Sequence, residues 1–442
     1  MKPHRHSYSG LRRVTGCTLL LGLQILTAAA QVSFQTIPVT GDLVGLTSVS
    51  ALSKDGSALS GTGWSLTNWG PKAFVWTKGG GTAPLVVPSA NSSSAFAVNS
   101  NGTVVVGWCF KSDGGAFIWR NGSFGTVSQN PGAVIRAVTS DGSTAVGANP
   151  PSSTSEAGVA AQWNVSSGTS TSLGNLPGST AESEVLAISG DNSTTVGWSK
   201  STNGIQAFRR RSGTMTGLGD LSGGKFFSQA TAVSRDGSVV VGRSESAQGM
   251  QAFRWTSTNG MTALGDFPGG ALFSEATGVS GDGLIIVGVS ASAADNEVFI
   301  WEQRRGLRSL AALIRDAGVD LSGWRFTYCK PVISEDGDVV AGQAIDPGYQ
   351  PVIWRFTGLR SILGRLPAAP MTLRPSDTRF HLKFVAEAGF RYQVQQCAQL
   401  GDAPAWENVG PATLGAGVEQ QVSFDRTAPS RFWRLIVTTA AP

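Results

Sequence analysis

The residues best placed for chemistry in this sequence are two glutamates, Glu184 and Glu275, at equivalent positions of an internal repeat. Each precedes a short apolar run, and the first strands of such repeats line the central channel when the repeats close into a ring. Two carboxylates about 5–10 Å apart can hydrolyse a glycosidic bond. We therefore name them as an alternative acid/base pair of a glycan lyase or hydrolase, although their place two repeats apart predicts a larger separation.

Other catalytic and metal-binding arrangements find little support. His4 and His6 belong to the N-terminal leader, so a Ser-His-Asp triad would have to use His381, and a zinc site with several histidines is excluded within one chain. Each Ser-x-Asp-Gly turn offers one carboxylate, whereas calcium needs about six to eight oxygen ligands. Residues 219–224 and 265–270 lack the Lys-Ser/Thr of a phosphate loop. We predict no catalytic residue, no metal and no cofactor.

The sequence repeats a unit that combines Ser-x-Asp-Gly, Val-Val-Gly and Phe-x-Trp, and the clearest copy spans residues 232–265. Asp-Gly between two apolar runs predicts a tight hairpin, because such a turn needs positive φ. The seven turn residues lie 40 to 54 residues apart, at Gly56, Gly102, Gly142, Asn192, Gly237, Gly283 and Gly337. This period, with four strand-like runs per unit, predicts an all-β fold, a seven-bladed β-propeller, rather than a superhelical solenoid.

The recurring residues are better explained by the fold than by a binding site. The Asp side chain sets the turn, and Gly supplies positive φ. Aromatic residues two apart on a strand share a face, and their rings fill the space between blades. We therefore look for binding residues on the variable connections, because a rigid scaffold presents them there.

Candidate binding residues lie between the second and third strands of each unit, on the face that also carries the connections between blades. We place these connections at residues 62–72, 108–115, 148–160, 198–206, 243–251, 289–297 and 343–350. Their aromatic residues follow no strand periodicity and are Trp64, Trp69, Trp108, Phe110, Trp198 and Tyr349. Exposed rings among polar residues suit a sugar ring or a protein partner, and packing of the rings within the loops is the alternative.

The two ends of the chain lie outside the repeats. Residues 1–30 combine a basic start, a short apolar run and a small-residue cleavage site near Ala30, which predicts a secretory signal peptide. The leader holds four of the 34 basic residues, which leaves 30 against 29 acidic residues, so the charge gives no reason to expect a nucleic acid. Residues 31–363 form the predicted propeller, residues 364–376 a linker, and residues 377–442 a small C-terminal β-sandwich.

Local features of the ring leave alternatives open. Either residues 33–39 or residues 358–363 supply the strand that completes the last blade. The apolar spacing of residues 310–318 predicts a short helix between the sixth and seventh blades. Cys109 and Cys329 can form a disulfide if their blades adjoin, and the alternative is that these two and Cys397 are buried thiols.

The recurring pattern Ala-Val-Ser-x-Asp-Gly-x-x-Val-Val-Gly, then Ala-Phe-Arg-Trp and Gly-Met-x-x-Leu-Gly, resembles the HAF family of bacterial extracellular repeats. The resemblance covers roughly residues 40–363, fits best at residues 230–270 and includes residues 321–324 of the last repeat. Asn192, Arg210 and the sequence Ala-Gln-Trp at 161–163 depart from the pattern, chiefly in the third and fourth blades. The family implies export and a repeat scaffold, and it implies no catalytic residues. The C-terminal segment is similar to short β-sandwich modules of secreted proteins from Verrucomicrobia-like bacteria.

These observations predict an exported, monomeric scaffold without catalysis, secreted or held at the cell surface, that binds an extracellular polysaccharide or protein. We expect no nucleic-acid partner and no transmembrane segment after signal cleavage. A glycan-active enzyme on the same ring and a structural component of the cell envelope are the alternatives.

Overall fold

The computed structural model divides the chain into two compact units, residues 31–363 and residues 1–30 with 364–442. The structure describes residues 13–14, 17–18, 32–38, 40–67, 69–110, 115–126, 132–150, 158–178, 182–293, 295–326, 330–363, 371–375, 379–386, 390–397, 407–408, 411, 413–414, 418–425 and 432–439. The predicted cleavage site near Ala30 lies outside these residues. Within them, no helix is long and apolar enough to cross a membrane.

Residues 31–363 form a seven-bladed β-propeller, which confirms the predicted fold. Strands β1 (Arg13–Val14) and β2 (Cys17–Thr18) precede this unit and pair with each other, and β3 (Ser33–Thr36) is the first strand of the ring. In the first six blades four antiparallel strands follow one another in chain order.

The strands of the first three blades are β4 (Leu43–Leu52), β5 (Ala58–Ser65), β6 (Gly70–Thr77) and β7 (Gly81–Pro84); β8 (Ser92–Val98), β9 (Val104–Phe110), β10 (Gly115–Arg120) and β11 (Ser123–Thr126); and β12 (Val134–Val138), β13 (Thr144–Asn149), β14 (Val159–Asn164) and β15 (Ser170–Ser172). Those of the next three are β16 (Ser183–Ile188), β17 (Thr194–Ser201), β18 (Gly204–Arg211) and β19 (Thr214–Gly217); β20 (Ser228–Val233), β21 (Val239–Ser246), β22 (Gly249–Thr256) and β23 (Gly260–Gly265); and β24 (Ser274–Val279), β25 (Ile285–Ala291), β26 (Asn296–Glu302) and β27 (Gly306–Ser309).

A short helix, α1 (Leu310–Asp316), follows the sixth blade and confirms the predicted helix. The hydroxyl of Ser309 caps it by accepting a hydrogen bond from the Ala312 N–H at 3.3 Å. Leu310 and Ile314 are buried against the core of the sixth and seventh blades. Their spacing of four residues places both side chains on one face of the helix.

The seventh blade joins the two ends of the ring. It contains β28 (Val332–Ile333), β29 (Val339–Ile345), β30 (Pro351–Thr357) and, on its outer side, β3, with Phe34 opposite Phe356. Of the two predicted closing segments, the one that begins at Ser33 is therefore correct. The other forms helix α2 (Leu359–Leu363), because Leu359, Ile362 and Leu363 follow a helical spacing and are buried together.

A glycine in the second strand determines how each of the first six blades packs. Gly242 lies opposite both Ala230 and Phe253, and a Cβ at this position would lie 2.0 Å from the carbonyl oxygen of Gln229. Beside this glycine the ladder shifts by one residue, which is a β-bulge. The bulged residues that lie beside the six glycines are Ser50, Phe96, Arg136, Leu186, Thr231 and Thr277.

The seventh blade corrects one predicted alignment. By sequence, Val352-Ile-Trp354 is the segment of the seventh repeat that aligns with Phe-x-Trp. In the structure Trp354 instead lies opposite Gly342, as Phe253 lies opposite Gly242. The counterpart of Phe-x-Trp is therefore Trp354-Arg355-Phe356, two residues later than predicted. Both aromatic side chains are buried.

The departures in the third and fourth blades leave the blades intact. Trp163 is buried, and Ala161 takes the position opposite Gly147 that Phe holds in the other five of the first six blades. Asn192 has φ 62°, close to the 70° of Gly237, so asparagine supplies the left-handed residue of its turn.

Contacts between neighbouring blades recur around the ring. The buried Ser228 hydroxyl accepts a hydrogen bond from the Ala207 N–H of the preceding blade at 2.9 Å and donates to the Gly219 carbonyl at 2.6 Å. Arginine side chains stack on tryptophan rings of the next blade at 5.6 to 6.0 Å, in the pairs Arg209–Trp255, Arg254–Trp301 and Arg355–Trp76. The recurring aromatic residues therefore hold the blades together, as predicted.

The Ser-x-Asp-Gly turns are closed by their own side chains. In the third blade Asp141 accepts hydrogen bonds from the Thr139 hydroxyl at 2.5 Å and the Ser143 N–H at 2.9 Å. These bonds, that of Thr139 first, hold the pKa of Asp141 below its ordinary value of 3.8. In the second blade the neutral Asn101 accepts the same type of bond, from the Thr103 N–H at 3.1 Å.

The C-terminal residues form two antiparallel sheets. Strands β31 (Met371–Pro375), β32 (Arg379–Ala386) and β36 (Val418–Asp425) make the first sheet, and β33 (Phe390–Cys397) pairs with β34 (Glu407–Asn408), β35 (Thr413–Leu414) and β37 (Phe432–Thr439) in the second. Strand β31 lies inside the predicted linker. A sandwich of the two sheets stays a prediction.

Cys109 is buried in β9, and its thiol donates to the Gly115 carbonyl at 3.4 Å. Cys329 lies outside the described residues, so the disulfide between them stays a prediction.

We expect Gly242→Ala to destabilise the propeller by roughly 3 kcal/mol, because the added methyl group meets backbone that cannot move aside. Gly79→Ala is the matched control, since a Cβ there has no atom within 4 Å. Urea unfolding followed by circular dichroism measures both. Equal stability of the two variants would contradict the close approach.

We expect Asp141→Asn to reduce the loss of stability in acid. The folded-state pKa of Asp141 lies below 3.8, so its stabilisation is complete above that pH and disappears as the pH falls through the folded value. Unfolding midpoints at pH 6 and pH 3 should therefore differ less in this variant than in the parent. The reciprocal variant, Asn101→Asp, should increase the difference.

Candidate functional site

Antiparallel strands place successive connections on opposite faces of the ring. The Ser-x-Asp-Gly turns, between first and second strands, lie on one face, which we call the lower face. The connections from second to third strands and from blade to blade lie on the other, the upper face. A ligand that enters the ring therefore meets different residues on each side.

The turn tips converge at the ring axis on the lower face. Glu335 of the seventh blade pairs with Arg235 of the fifth at 2.6 Å and accepts a hydrogen bond from the Ser140 hydroxyl of the third at 3.1 Å. The Gly281 N–H of the sixth blade donates to the Glu335 carbonyl at 2.7 Å, and a Cβ on Gly190 of the fourth would lie 3.0 Å from the Glu335 carboxylate. These contacts narrow the lower end of the channel.

These contacts are made by the residue that lies between Ser (or Thr) and Asp in each turn. The sequence analysis did not identify this position. Ser, Asp and Gly recur in most of the repeats, whereas the residue at this position varies from blade to blade. Opposite charges at this position, Arg235 and Glu335, were the available signal.

On the upper side of these tips the first strands enclose a cavity of about 490 Å³. Its walls come from four blades and include Ser50, Thr231, Glu275, Thr277 and Lys330. The Thr231 hydroxyl donates to the Ala276 carbonyl of the next blade at 2.6 Å, so part of this polar lining also ties blades together. The volume falls within the range of small-molecule sites, about 300–1,000 Å³.

Glu184, one of the two predicted carboxylates, lies at the start of its first strand on the upper face. Its carboxylate pairs with Arg136 of the preceding blade at 2.6 Å and accepts a hydrogen bond from the Trp198 indole N–H at 3.2 Å. The guanidinium of Arg136 also lies over the ring of Phe96 at 5.0 Å. A cation, an acid and two aromatic rings thus meet at one side of the channel mouth.

Glu275, the other predicted carboxylate, lines the cavity and has only 8% of its side chain exposed. Arg243 and Lys330 lie 3.6 and 3.5 Å from its oxygens. Between the two glutamates lies Gln229 of the fifth blade, whose side-chain oxygen accepts hydrogen bonds from Arg243 at 2.8 and 3.2 Å. Each glutamate therefore has its own cations among the described residues.

Sequence reasoning named the carboxylates and missed the cations. Arg243 follows Gly242 as Trp198 follows Gly197, so the repeat placed both at the channel mouth. The predicted binding residues were all aromatic, so Arg243 was not among them.

Each predicted second-to-third connection includes residues of one or both flanking strands, which corrects its bounds. We took the glycine as the end of the second strand, but it lies inside the strand opposite the bulge. The connection predicted at 198–206 shrinks to residues 202–203, between Ser201 and Gly204.

Four of the six predicted aromatic residues consequently lie on strands, namely Trp64, Trp108, Phe110 and Trp198. Trp108 and Phe110 share a face, with ring centres 6.3 Å apart. Trp69 and Tyr349 lie in turns with φ 47° and 63°, and both are exposed. Trp64 and Phe110 are exposed, and Trp108 and Trp198 are half-buried, so none of the six side chains is fully buried.

A second cavity, of about 500 Å³, opens beside helix α1. Its lining includes Glu297, Arg315, Trp324, Arg325 and Phe326. The apolar spacing of residues 310–318 predicted the helix but not this groove. No group of three or more His, Cys, Asp or Glu side chains in the described part of the chain is placed to hold a metal ion.

No protein family and no curated protein matches the sequence. Solved structures to which the chain is similar include an oligogalacturonate lyase from Vibrio parahaemolyticus, with 11% identity over 75% of this chain and 94% of that chain and a TM-score of 0.47. TolB from Acinetobacter baumannii has 13% identity over 71% and 79%, with a TM-score of 0.38. An oligogalacturonate lyase in complex with manganese has 13% identity over 75% and 98%, with a TM-score of 0.45. At these identities the similarity concerns the fold alone.

We expect Glu335→Ala to destabilise the ring by about 1–2 kcal/mol, because it removes an ion pair and a hydrogen bond near the axis. Lys54→Ala is the matched control, since this exposed residue occupies the equivalent tip of the first blade. In a double-mutant cycle with Arg235→Ala the coupling should stay below about 1 kcal/mol, since Arg235 is half exposed. Urea unfolding gives all the values, and an unchanged Glu335→Ala midpoint would contradict the cross-axis role.

Proposed function

We propose that this protein is an exported, non-catalytic scaffold whose upper face binds an extracellular polysaccharide. The observation that carries this proposal is the cavity of about 490 Å³ among the first strands, with charged residues at its upper rim. The turn tips narrow the lower end, so a ligand would enter from the upper face.

Aromatic residues near the mouth support a carbohydrate ligand. Trp198 is half-buried beside Glu184, and Trp108 occupies the equivalent position two blades away. Aromatic rings beside hydrogen-bonding side chains suit the apolar faces and hydroxyl groups of sugars. A protein partner is the alternative occupant of the same face.

We propose no catalysis by the two glutamates. Glu184 and Glu275 belong to the fourth and sixth blades, with Gln229 and Arg243 of the fifth between them. A glycosidase needs two carboxylates that act on one bond, about 5–10 Å apart. If Glu184→Gln or Glu275→Gln abolished turnover of a polysaccharide, the enzymatic alternative would replace this proposal.

Export and attachment are proposed from the sequence. The predicted signal peptide and the resemblance to the HAF family support a secreted or surface-held protein. Recovery of the protein only in the cell-envelope fraction, with no ligand, would favour the structural alternative.

We expect the full-length protein to bind one or more polysaccharides on a glycan array and to change its intrinsic tryptophan fluorescence on binding. Trp198→Ala should weaken that binding at least about tenfold, because it removes an aromatic ring at the mouth and the hydrogen bond that orients Glu184. Leu284→Ala is the control, since Leu284 is an exposed apolar residue of a lower-face turn. No binding to any glycan, or equal loss in both variants, would overturn the proposal.

A further inference from the structure

We infer that the ligand of the upper face is a polysaccharide whose sugar rings carry carboxylates, and that Arg243 and Lys330 bind a carboxylate at the cavity rim. This inference rests on the proposed binding function and names the chemical class of its ligand.

The charges at the rim do not cancel. Arg243 and Lys330 share one carboxylate, that of Glu275, and their nitrogens lie 3.6 and 3.5 Å from its oxygens. Close charge-assisted hydrogen bonds are about 2.7–2.9 Å long, so neither cation binds Glu275 tightly. Among the described residues, this group of three side chains therefore carries one excess positive charge.

The two cations are more exposed to solvent than the acid that they share. The side chain of Glu275 is 8% exposed, whereas those of Arg243 and Lys330 are 32% and 70% exposed. The acid lies in the wall of the cavity and the cations face the solvent. An approaching ligand consequently meets positive charge first, which favours an anion.

Neighbouring contacts orient Arg243 without neutralising it. Gln229 accepts hydrogen bonds from its Nε and Nη2 atoms, and the uncharged amide leaves the charge of the guanidinium intact. The ring of Phe227 lies 5.9 Å from the guanidinium carbon. A fixed guanidinium fork matches the geometry of a carboxylate.

A cation beside an aromatic ring occurs again at the mouth. Arg136 is 36% exposed, lies over Phe96 and pairs with Glu184, which is 15% exposed. Cations therefore stand beside aromatic rings at two places. A uronate residue joins a carboxylate to the apolar face of a sugar ring, whereas an acidic peptide offers carboxylates without that face. The pairing of cation and ring favours the uronate.

Isothermal titration of the full-length protein with polygalacturonate, with alginate and with fully methyl-esterified polygalacturonate tests this inference. We expect a uronate polymer to bind at least about tenfold more tightly than the ester, with affinity falling as salt rises. Lys330→Gln and Arg243→Gln should each weaken binding about tenfold, because each removes a charged donor. Glu275→Gln should strengthen it, since the competing negative charge is lost.

Lys200→Gln is the matched control, because Lys200 carries the same charge near the upper end of β17 and pairs with Glu182. Its affinity should equal that of the parent. Equal binding of the methyl ester would overturn this inference while leaving the proposed function standing. Equal binding of polyglutamate would overturn the saccharide assignment. Binding of neutral glycans on the array, without binding of either uronate polymer, would overturn the inference alone.

Discussion

The propeller depends on one close approach that recurs in its first six blades. A glycine of the second strand lies so near the first-strand carbonyl that a Cβ would come within about 2 Å, and the aromatic residue of the third strand covers the same glycine in most blades. This approach coincides with a bulge in the first strand. Since the first strands surround the axis, each bulge sets the backbone from which the channel lining projects.

The repeated backbone carries side chains that do not repeat. The bulged position holds a phenylalanine, an arginine, a leucine, a serine and two threonines in different blades. In the fifth and sixth blades the threonine hydroxyl is used to tie two blades together. In the third blade the arginine pairs with Glu184. Some of these positions therefore hold neighbouring blades together, and others carry a charged side chain.

Local sequence patterns predicted the parts of the structure that local forces determine. The Asp-Gly turns, the buried aromatic residues and helix α1 follow from short-range spacing, and all were predicted. The bounds of the connections were wrong, because a glycine inside a bulged strand looks the same as a glycine that ends one. The shifted alignment of Trp354 has the same origin, since only the register with Gly342 reveals it.

The charged groups of the candidate site were harder to predict, because their partners lie in other blades. Glu275 receives Arg243 from the fifth blade and Lys330 from the seventh, and Glu335 reaches residues of the third and fifth. No spacing along the chain encodes these contacts. They depend on the curvature that brings the first strands together.

The pairing of β3 with β30 gives the ring an order of assembly. Strand β3 is made before any blade, and its partner belongs to the last blade of the ring. During synthesis β3 therefore cannot pair with β30 until about 320 further residues have been added. Long-range pairing of this kind is slow, because the loss of loop-closure entropy comes before the gain of contacts. The closed ring is a late product, because a chain interrupted before the seventh blade leaves β3 without its partner strand and the sixth blade uncovered on the side that faces the seventh.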